Sequence, residues 1–405
     1  MTTTRQALET RPRAVSIALA FAIVLLPALG AAPAAEGQTY KVLYNFTGGP
    51  DGGWPYYGLV RDAKGNLYGT TYYGGDLNCD YPYGCGVVFK LDNGGKETTL
   101  YTFTETGGDG ANPAAGLVID SSGNLYGTTY YGGASGDGTV FKLDSSGNET
   151  VLHSFTGYPD DGAYPFADLV RDAAGNLYGT TYSGGAGEVD GTVFEVDKAG
   201  NETMLHSFTG GDGQSPSIDP LFLDAAGNVY GTTHSGGPYQ HGVVFKLDKT
   251  GEETLLYTFP GLAKGAFPTS GLIRDPLGNL YGTTARGGSG ACHSGCGVVF
   301  KLAKTGKVTV LYSFAYTGDG TYPSGDLLRD AMGNLYGTTF EGGGDDVGTL
   351  FELNKAGKET VLHSFAGPDG ELSYGGLVRD ASGNLYGAAS RGGAYGGGVV
   401  FELTP

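Results

Sequence analysis

The sequence GNLYGTT occupies residues 65–71 and returns six more times along the chain in identical or nearly identical form. The seven copies begin at Gly65, Gly123, Gly175, Gly227, Gly278, Gly333 and Gly383. Their tyrosines are spaced by 50 to 58 residues, a period that is typical of radial or stacked repeat architectures.

Each repeat contains four strand-like segments, which are clearest in the third copy. They read DLVRD at 168–172, LYGTTY at 177–182, GTVFEVD at 191–197 and ETMLHSF at 202–208. Apolar positions alternate with polar ones, and β-branched and aromatic residues are frequent, as expected for short strands. Seven units of four antiparallel strands predict an all-β fold, a seven-bladed β-propeller. A β-solenoid is the alternative, but its rungs are usually shorter than these units.

The two ends of the repeat array complement each other. The third-strand phrase occurs for the last time as GVVFEL at 398–403, and no fourth strand follows it. The missing strand is found at the other end, where YKVLYNF at 40–46 matches ETVLHSF at 149–155. We therefore expect the N-terminal strand to complete the seventh blade and close the ring.

Residues 1–34 differ in composition from the repeats. Arg5, Arg11 and Arg13 precede an apolar run at 14–29, and small residues follow. This order predicts a signal peptide over residues 1–34 and a single propeller domain over residues 35–405. An uncleaved anchor is the alternative, but the run is shorter than the roughly 20 residues that a spanning helix needs. We expect a secreted protein, periplasmic or extracellular, with no membrane span in the mature chain.

Glycine and acidic residues stand out in the composition. The chain has 76 glycines without a Gly-X-Y triplet, which excludes collagen, and its 28 tyrosines and 19 phenylalanines supply material for a large core. A formal net charge of −18 repels phosphate backbones, so we expect no nucleic-acid partner. The expected partner is an extracellular polymer or protein, and we expect a monomer.

The phrases GNLYGTT, GTVFKL at 138–143 and ETVLHSF at 149–155 resemble those of the GloVer tandem-repeat family of exported bacterial β-propeller-like proteins. The resemblance covers about residues 40–403. It implies no established activity for the repeat itself. Members of that family tend to carry C-terminal sorting anchors, for which they have a choice-of-anchor label. This sequence ends two residues after its last strand, so we expect a released protein.

The turn after each first strand has an aspartate followed three residues later by glycine. An aspartate that caps a turn through its own side chain, with a glycine that accepts positive φ, is typical of hairpins. The aspartates are residues 62, 120, 172, 224, 275, 330 and 380. We interpret them as structural rather than as a carboxylate array.

The loops between blades belong to the opposite face, which we call the upper face. Most contain Asp-Gly and, two residues after the glycine, a variable position that is usually followed by proline. The variable position holds Trp54, Asn112, Tyr164, Ser215, Phe267, Tyr322 and Leu372. Four of the seven are aromatic, and Tyr72, Tyr73, Tyr130 and Tyr131 follow second strands on the same face. Such rings are suited to stacking on sugar rings or to binding a peptide.

We therefore hypothesise a ligand-binding set on the upper face. It comprises Trp54, Tyr72, Tyr130, Tyr164, Phe267 and Tyr322, together with Lys264, which replaces a loop aspartate. The alternative is that these aromatics pack between loops and the loop aspartates cap turns. Calcium on a few of those aspartates is a weaker hypothesis, because no EF-hand loop is present, and no other cofactor is predicted.

The four cysteines form two close pairs, Cys79 with Cys85 and Cys292 with Cys296, each just before a third strand. Export favours two local disulfides. A four-cysteine zinc site is excluded if the two blades are not adjacent. The stretch at 292–296 alone has too few ligands for zinc.

The histidines give little support for catalysis. His153, His206 and His363 stand where other copies have tyrosine, so we interpret them as packing variants. A metal site built from His234, His241 and His293 in neighbouring upper loops is a further hypothesis.

Residues that break the repeat on the upper face are Lys264, Arg286, Glu341, Asp345, Asp346 and Arg391. No hydrolase elbow, phosphate loop or zinc-protease helix accompanies them. We predict a binding or scaffold module without catalytic residues, and carbohydrate polymers are its candidate ligands. The alternative is an exported propeller hydrolase or lyase acting on a polysaccharide or small ligand.

Overall fold

The computed structural model describes residues 38–216 and 220–404. The predicted signal peptide lies outside these residues and stays a prediction. The described chain is almost entirely strand and turn, with one short 3-10 helix at Leu262–Lys264. Seven main antiparallel sheets, one for each copy of the repeat, form a seven-bladed β-propeller with four strands per blade, which confirms the predicted fold. No helix in the described ranges is long and apolar enough to cross a membrane.

We number the blades along the chain and the strands outward from the central axis. The second strands are Leu67–Thr71, Leu125–Thr129, Leu177–Gly184, Val229–Ser235, Leu280–Arg286, Leu335–Glu341 and Leu385–Ala389. The third strands are Val87–Leu91, Thr139–Leu143, Thr192–Val196, Val243–Leu247, Val298–Leu302, Thr349–Leu353 and Val399–Thr404. The fourth strands are Glu97–Thr102, Glu149–Ser154, Glu202–Ser207, Glu253–Thr258, Val308–Ser313, Glu359–Ser364 and, in blade 7, Thr39–Asn45.

The first strand of most blades is split or short. Its lower parts are Val60–Arg61, Val118–Ile119, Val170–Arg171, Phe222–Leu223, Ile273–Arg274 and Val378–Arg379. Its upper parts are Gly110–Ala111, which pairs with Tyr131–Gly132, then Gly162–Pro165, Gln214–Pro216 and Ala266–Pro268. In blade 6 the strand runs unbroken over Thr321–Arg329, with a register shift between Ser324 and Leu328. The extra residues form a bulge at the central axis.

The N-terminal strand closes the ring as predicted. Thr39–Asn45 pairs antiparallel with the third strand of blade 7, with Tyr40 opposite Leu403. The ring of Tyr40 stacks on that of His363 in blade 6 at 3.7 Å, and its hydroxyl donates a hydrogen bond to the carbonyl of Asp369 at 2.7 Å.

Contacts in the third copy explain the repeated phrase. The carboxylate of Asp172 accepts hydrogen bonds from the backbone of Gly175 and from the backbone and side chain of Asn176, at 2.7 to 3.0 Å. Gly179 lies under the ring of Phe194, where a Cβ atom would come within 2.6 Å of Cζ. The prediction that these aspartates cap turns is confirmed. The second glycine of the phrase, Gly179 in this copy, is required because the ring of Phe194 occupies the space that a side chain would need.

Phenylalanine rings join neighbouring blades. A phenylalanine just after each fourth strand makes an edge-to-face contact with the third-strand phenylalanine of the next blade, with centroids 5.0 to 5.6 Å apart. The pairs are Phe46–Phe89, Phe103–Phe141, Phe155–Phe194, Phe208–Phe245, Phe259–Phe300, Phe314–Phe351 and Phe365–Phe401. Such pairs contribute about 0.5–1.5 kcal/mol each beyond burial, so every junction has the same apolar contact.

Candidate binding face

One residue in each blade adopts a left-handed backbone at the same place. The seven variable residues of the upper face all have φ between 49° and 59°. Each donates its N–H to a carbonyl just before the third strand of the preceding blade, as Tyr164 does to Asp137 at 2.8 Å. Side chains other than glycine cost about 1–2 kcal/mol in this conformation. The aromatic residues at this position therefore carry a conformational cost that glycine would not have.

The predicted aromatics of blades 1 to 3 contact one another on the upper face. Tyr130 stacks on Tyr164 with ring centroids 5.1 Å apart, and Trp54 meets Tyr73 edge-on at 4.9 Å. Trp54, Tyr72, Tyr130 and Tyr164 are all half-buried. The rings thus pack between loops, as in the alternative interpretation, and still expose part of their surface. Burial raises the pKa of Tyr130 to about 12, so its hydroxyl stays a hydrogen-bond donor.

A second group of aromatics, which the sequence analysis missed, continues these contacts around the central axis. Phe340 meets Tyr374 at 4.8 Å, and Tyr374 meets Tyr56 at 5.3 Å. On the other side, Phe166 lies 5.3 Å from Tyr130. Tyr56, Phe166 and Tyr374 share one repeat position, two residues after the variable residue. That shared offset is the signal that could have found them.

Two cavities open among these residues. One of about 540 Å³ lies in blades 2 to 4 and is lined by Tyr130, Tyr164, Tyr182 and Ser215, among others. The other, of about 450 Å³, lies in blades 4 to 6. It is lined by His234, Phe267, Ala285, Arg286, Tyr322, Phe340 and Glu341. Both volumes fall in the range of about 300–1,000 Å³ usual for ligand sites.

Charged side chains flank the aromatic rings. The guanidinium of Arg391 lies 4.6 Å from the Trp54 ring centroid, and that of Arg286 lies 5.0 Å from that of Tyr322. Arg286 also donates a hydrogen bond to the carbonyl of His293 at 2.9 Å. Lys264 is exposed at the end of the short helix and lines neither cavity. Of the residues that break the repeat on the upper face, Arg391 and Arg286 therefore contact different rings.

Among the described residues, two carboxylates stand at the axis on the first-strand bulges. Asp168 accepts a hydrogen bond from the N–H of Gly116, and Asp326 accepts one from that of Gly271 at 2.8 Å. Burial raises the pKa of both carboxyls, and the charge of Asp168 raises that of Asp326 further. This pair was not predicted from the sequence. Its signal is that four other blades have glycine at the same position, namely Gly58, Gly116, Gly271 and Gly376. Counted from the variable residue, blade 4 has Asp219 at this position, which lies outside the described residues.

The Gloeobacter/Verrucomicrobia repeat model matches the chain over residues 32–188, 77–293, 160–329 and 219–405. The chain belongs to the Gloeobacter/Verrucomicrobia repeat family. This confirms the resemblance seen in the repeated phrases. No curated protein matches the sequence.

Solved structures similar to this Gloeobacter/Verrucomicrobia repeat protein include the extracellular domains of two candidate hybrid two-component systems from B. thetaiotaomicron. One is 14% identical with a TM-score of 0.56 and covers 91% of this chain and 41% of that chain. The second is 11% identical with a TM-score of 0.57 and covers 90% and 39%. The chain therefore spans about two fifths of their length, and the likeness supports the fold alone. A gluconolactonase from Xanthomonas campestris is 12% identical, covers 74% and 86%, and has a TM-score of 0.44, too low to support an argument.

Both predicted disulfides are present in this member of the family, Cys79–Cys85 and Cys292–Cys296. The carbonyl of Cys85 accepts a hydrogen bond from the N–H of Asn112 at 2.8 Å. Each disulfide loop therefore supports the left-handed residue of the next blade.

The histidines occupy two settings. His234 and His241 both contact the ring of Phe267, at 5.3 and 5.6 Å. The described residues do not bring them together with His293 as metal ligands, so the metal hypothesis for this sector was wrong. His153 and His363 have ring contacts, as expected of packing variants, but each also pairs with a loop aspartate, Asp161 or Asp369.

The loop aspartates cap their own loops. Asp109 accepts hydrogen bonds from the N–H groups of Thr104 and Gly110 at 2.8 and 2.7 Å. Asp346, one of the residues that break the repeat, likewise accepts the N–H of Gly342 at 2.9 Å and the Tyr316 hydroxyl at 3.1 Å.

Proposed function

We propose that this protein is an exported binding propeller that holds carbohydrate chains on the aromatic upper face. The observation that carries the proposal is the left-handed backbone of Trp54, Tyr164, Phe267 and Tyr322. Residues held in sparsely populated backbone regions concentrate at functional sites. Glycine would fill this position at lower cost, so the retained rings suggest that a ligand uses them.

The cavity in blades 4 to 6 is the proposed centre of recognition. Phe267, Tyr322 and Phe340 supply aromatic surface for stacking on sugar rings, and Arg286 and Glu341 supply donors and acceptors for hydroxyl groups. Sites of this kind combine apolar walls with few polar groups that fix orientation. The aromatics of blades 1 to 3 would extend the contact along a polymer.

Export is supported by chemistry as well as by the predicted signal peptide. Disulfides persist in oxidising compartments such as the periplasm and the extracellular space, and the described chain has two. The net charge of −18 disfavours anionic ligands, so neutral polysaccharides are the expected class.

A titration with soluble polysaccharides tests the proposal. Trp54 is the only tryptophan, so its fluorescence reports on the face, and calorimetry measures binding in the cavity directly. Neutral glucans and xylans are expected to bind, and Tyr322→Ala is expected to weaken that binding at least tenfold. Tyr239→Ala, at an exposed tyrosine outside both cavities, serves as the control. No binding by any polysaccharide would overturn the proposal.

A hydrolase or lyase is the second candidate, favoured by the Asp168 and Asp326 pair. Two neighbouring carboxyls, one of which raises the pKa of the other, are groups of the kind that general acid and base catalysis uses. Turnover of a bound polysaccharide that is lost in Asp168→Asn and Asp326→Asn, with binding retained, would support the enzyme. Binding without turnover in the parent protein would favour the binding module over the enzyme.

A further inference from the structure

Histidine meets two carboxylates at a junction between blades, away from the upper-face cavities. His206 lies in the fourth strand of blade 3, Asp212 in the loop after it, and Glu253 at the start of the fourth strand of blade 4. One nitrogen or oxygen atom from each of the three residues lies within 4.8 Å of the other two. The group therefore joins two blades.

Local structure fixes the histidine and the aspartate. The strand register shifts by one residue just before His206, so Val193 faces His206 while Phe194 faces Met204. The imidazole packs edge-on against Phe208 at 4.8 Å. Oδ1 of Asp212 accepts hydrogen bonds from the N–H and hydroxyl of Thr209 at 2.8 and 3.1 Å. Its other oxygen, Oδ2, lies 3.3 Å from Nε2 of His206.

Two of the facing atoms are buried. Oε1 of Glu253 has no hydrogen-bond partner in the described structure, and Nε2 of His206 has only the ion-pair contact with Asp212 and no hydrogen bond of good geometry. Buried polar atoms are nearly always satisfied, so unsatisfied ones call for an ion, a water or a functional role.

We propose that His206, Asp212 and Glu253 bind a divalent transition-metal ion of the zinc type. One imidazole nitrogen and two carboxylate oxygens match the preferences of zinc and cobalt, whereas calcium and magnesium prefer oxygen ligands alone. The 3.3 Å between Nε2 and Oδ2 matches the edge of about 3.3 Å expected for a tetrahedron with bonds of about 2.0–2.1 Å. A water molecule completes the coordination.

A trio of the same composition lies one junction earlier. His153, Asp161 and Glu202 again place their ligand atoms within 4.8 Å of one another, with Nε2 of His153 3.1 Å from Oδ2 of Asp161. The proposal covers this junction too. At the junction after blade 5, Tyr312 takes the place of histidine beside Asp319. That junction has no imidazole and provides an internal control.

The ion would act as a cross-link between neighbouring blades. Because the ligands come from different blades, they are brought together only in the folded ring, and a ligand of the folded state stabilises it by mass action. Zinc is therefore expected to raise the melting temperature of the parent protein.

Metal content and cobalt spectra of the tag-free mature chain test the proposal. After exchange against zinc, the parent is expected to hold two equivalents and His206→Tyr one, by elemental analysis. The tyrosine variant restores the residue that four other blades have, so its fold is expected to persist. Cobalt in the parent should give visible bands of four- or five-coordinate metal, reduced by about half in His206→Tyr.

A matched pair of glutamate variants separates metal binding from stability. Glu253 and Glu359 occupy the same repeat position, and each has a buried, unsatisfied Oε1. Glu253→Gln is expected to weaken zinc binding at its junction more than tenfold, while Glu359→Gln leaves zinc content unchanged. Equal zinc content in the parent and His206→Tyr, or none in the parent, would overturn the proposal. One equivalent in the parent and none in His206→Tyr would confine it to the His206 site.

Discussion

The carbonyl oxygen of Cys296 accepts a hydrogen bond from the backbone N–H of Tyr322 at 2.9 Å. A disulfide in blade 5 thereby supports the left-handed residue at the cavity of blades 4 to 6. Cysteine pairing and the proposed binding site are thus parts of one local structure, although the sequence presents them as separate features.

We expect loss of this disulfide to weaken ligand binding. In the Cys292→Ser and Cys296→Ser double variant the free energy of unfolding should be lower by about 2 kcal/mol, as expected for a short closed loop. This variant should also bind polysaccharide more weakly. Removal of Cys79–Cys85, which supports Asn112 instead, is the matched control with a similar stability cost. Calorimetric titration of both variants decides the point, and equal affinities in the two would contradict the link to Tyr322.

The left-handed backbone of Tyr322 predicts an unusual order of variants. Tyr322→Gly should be more stable than Tyr322→Ala by about 1 kcal/mol, because glycine tolerates φ of 52° and alanine does not. Both variants lose the ring, so their difference isolates the backbone cost. Urea unfolding measures it. A Tyr322→Ala protein as stable as Tyr322→Gly would remove the strain argument on which the proposed function rests.

A Cβ atom at Gly179 is expected to disturb the core. Gly179→Ala would place this atom 2.6 Å from Cζ of Phe194, and overpacking of this kind costs about 1–3 kcal/mol. Gly211→Ala is the control, since a Cβ atom there meets nothing within 4 Å. Thermal unfolding should separate the two variants clearly, and a Gly179→Ala protein that melts with the parent would show that the ring moves freely.

The periodic phrases predicted the fold because each repeat encodes the same local contacts, such as the Asp172 turn and the Gly179 to Phe194 contact. The variable position was found for the opposite reason. Its residue changes from copy to copy, as from Trp54 to Tyr322, while the residues around it recur. Contacts made by ring closure could not be predicted in this way. Tyr374 meets Tyr56 only because blade 7 closes against blade 1.

The missed junction residues show the same limit. His206 was interpreted from its own strand as a packing variant, and Glu253 belongs to the next repeat. Only the geometry between blades brings the imidazole beside that carboxylate. Similarly, Asp168 and Asp326 come together because the first-strand bulges of blades 3 and 6 both reach the axis.

Stability is expected to decrease as pH rises through the range between about 4.5 and 7. Burial and a nearby aspartate, Asp109 or Asp319, raise the pKa of Glu149 and Glu359 to about 7 from an ordinary value of 4.5. The folded state therefore binds more protons than the unfolded state within this window, so unfolding becomes easier as pH rises, and the effect levels off above the folded pKa.

Each half-buried carboxyl is expected to contribute roughly 1–2 kcal/mol to this change after allowance for solvent screening. Tyr101 and Tyr312, the tyrosines at these junctions, stay neutral in this range because burial raises the pKa of each. A Glu149→Gln and Glu359→Gln double variant, followed by urea unfolding at pH 5 and pH 7, should show a smaller difference than the parent. The same difference in both proteins would contradict the assignment.

The N-terminal strand is expected to be essential for the closed ring. Deletion of residues 35–47 removes the partner of Val399–Thr404, the stack of Tyr40 on His363 and the junction contact of Phe46 with Phe89. It exposes an unpaired strand edge and the fully buried side chains around Phe46, which favours edge-to-edge association.

The truncated chain should aggregate on size-exclusion chromatography and melt well below the parent. A synthetic peptide of residues 38–47 added in trans should restore part of the monomer, because it supplies the missing edge. A truncated protein that stays monomeric and melts at the parent temperature would show that the first blade and the last are held together without this strand.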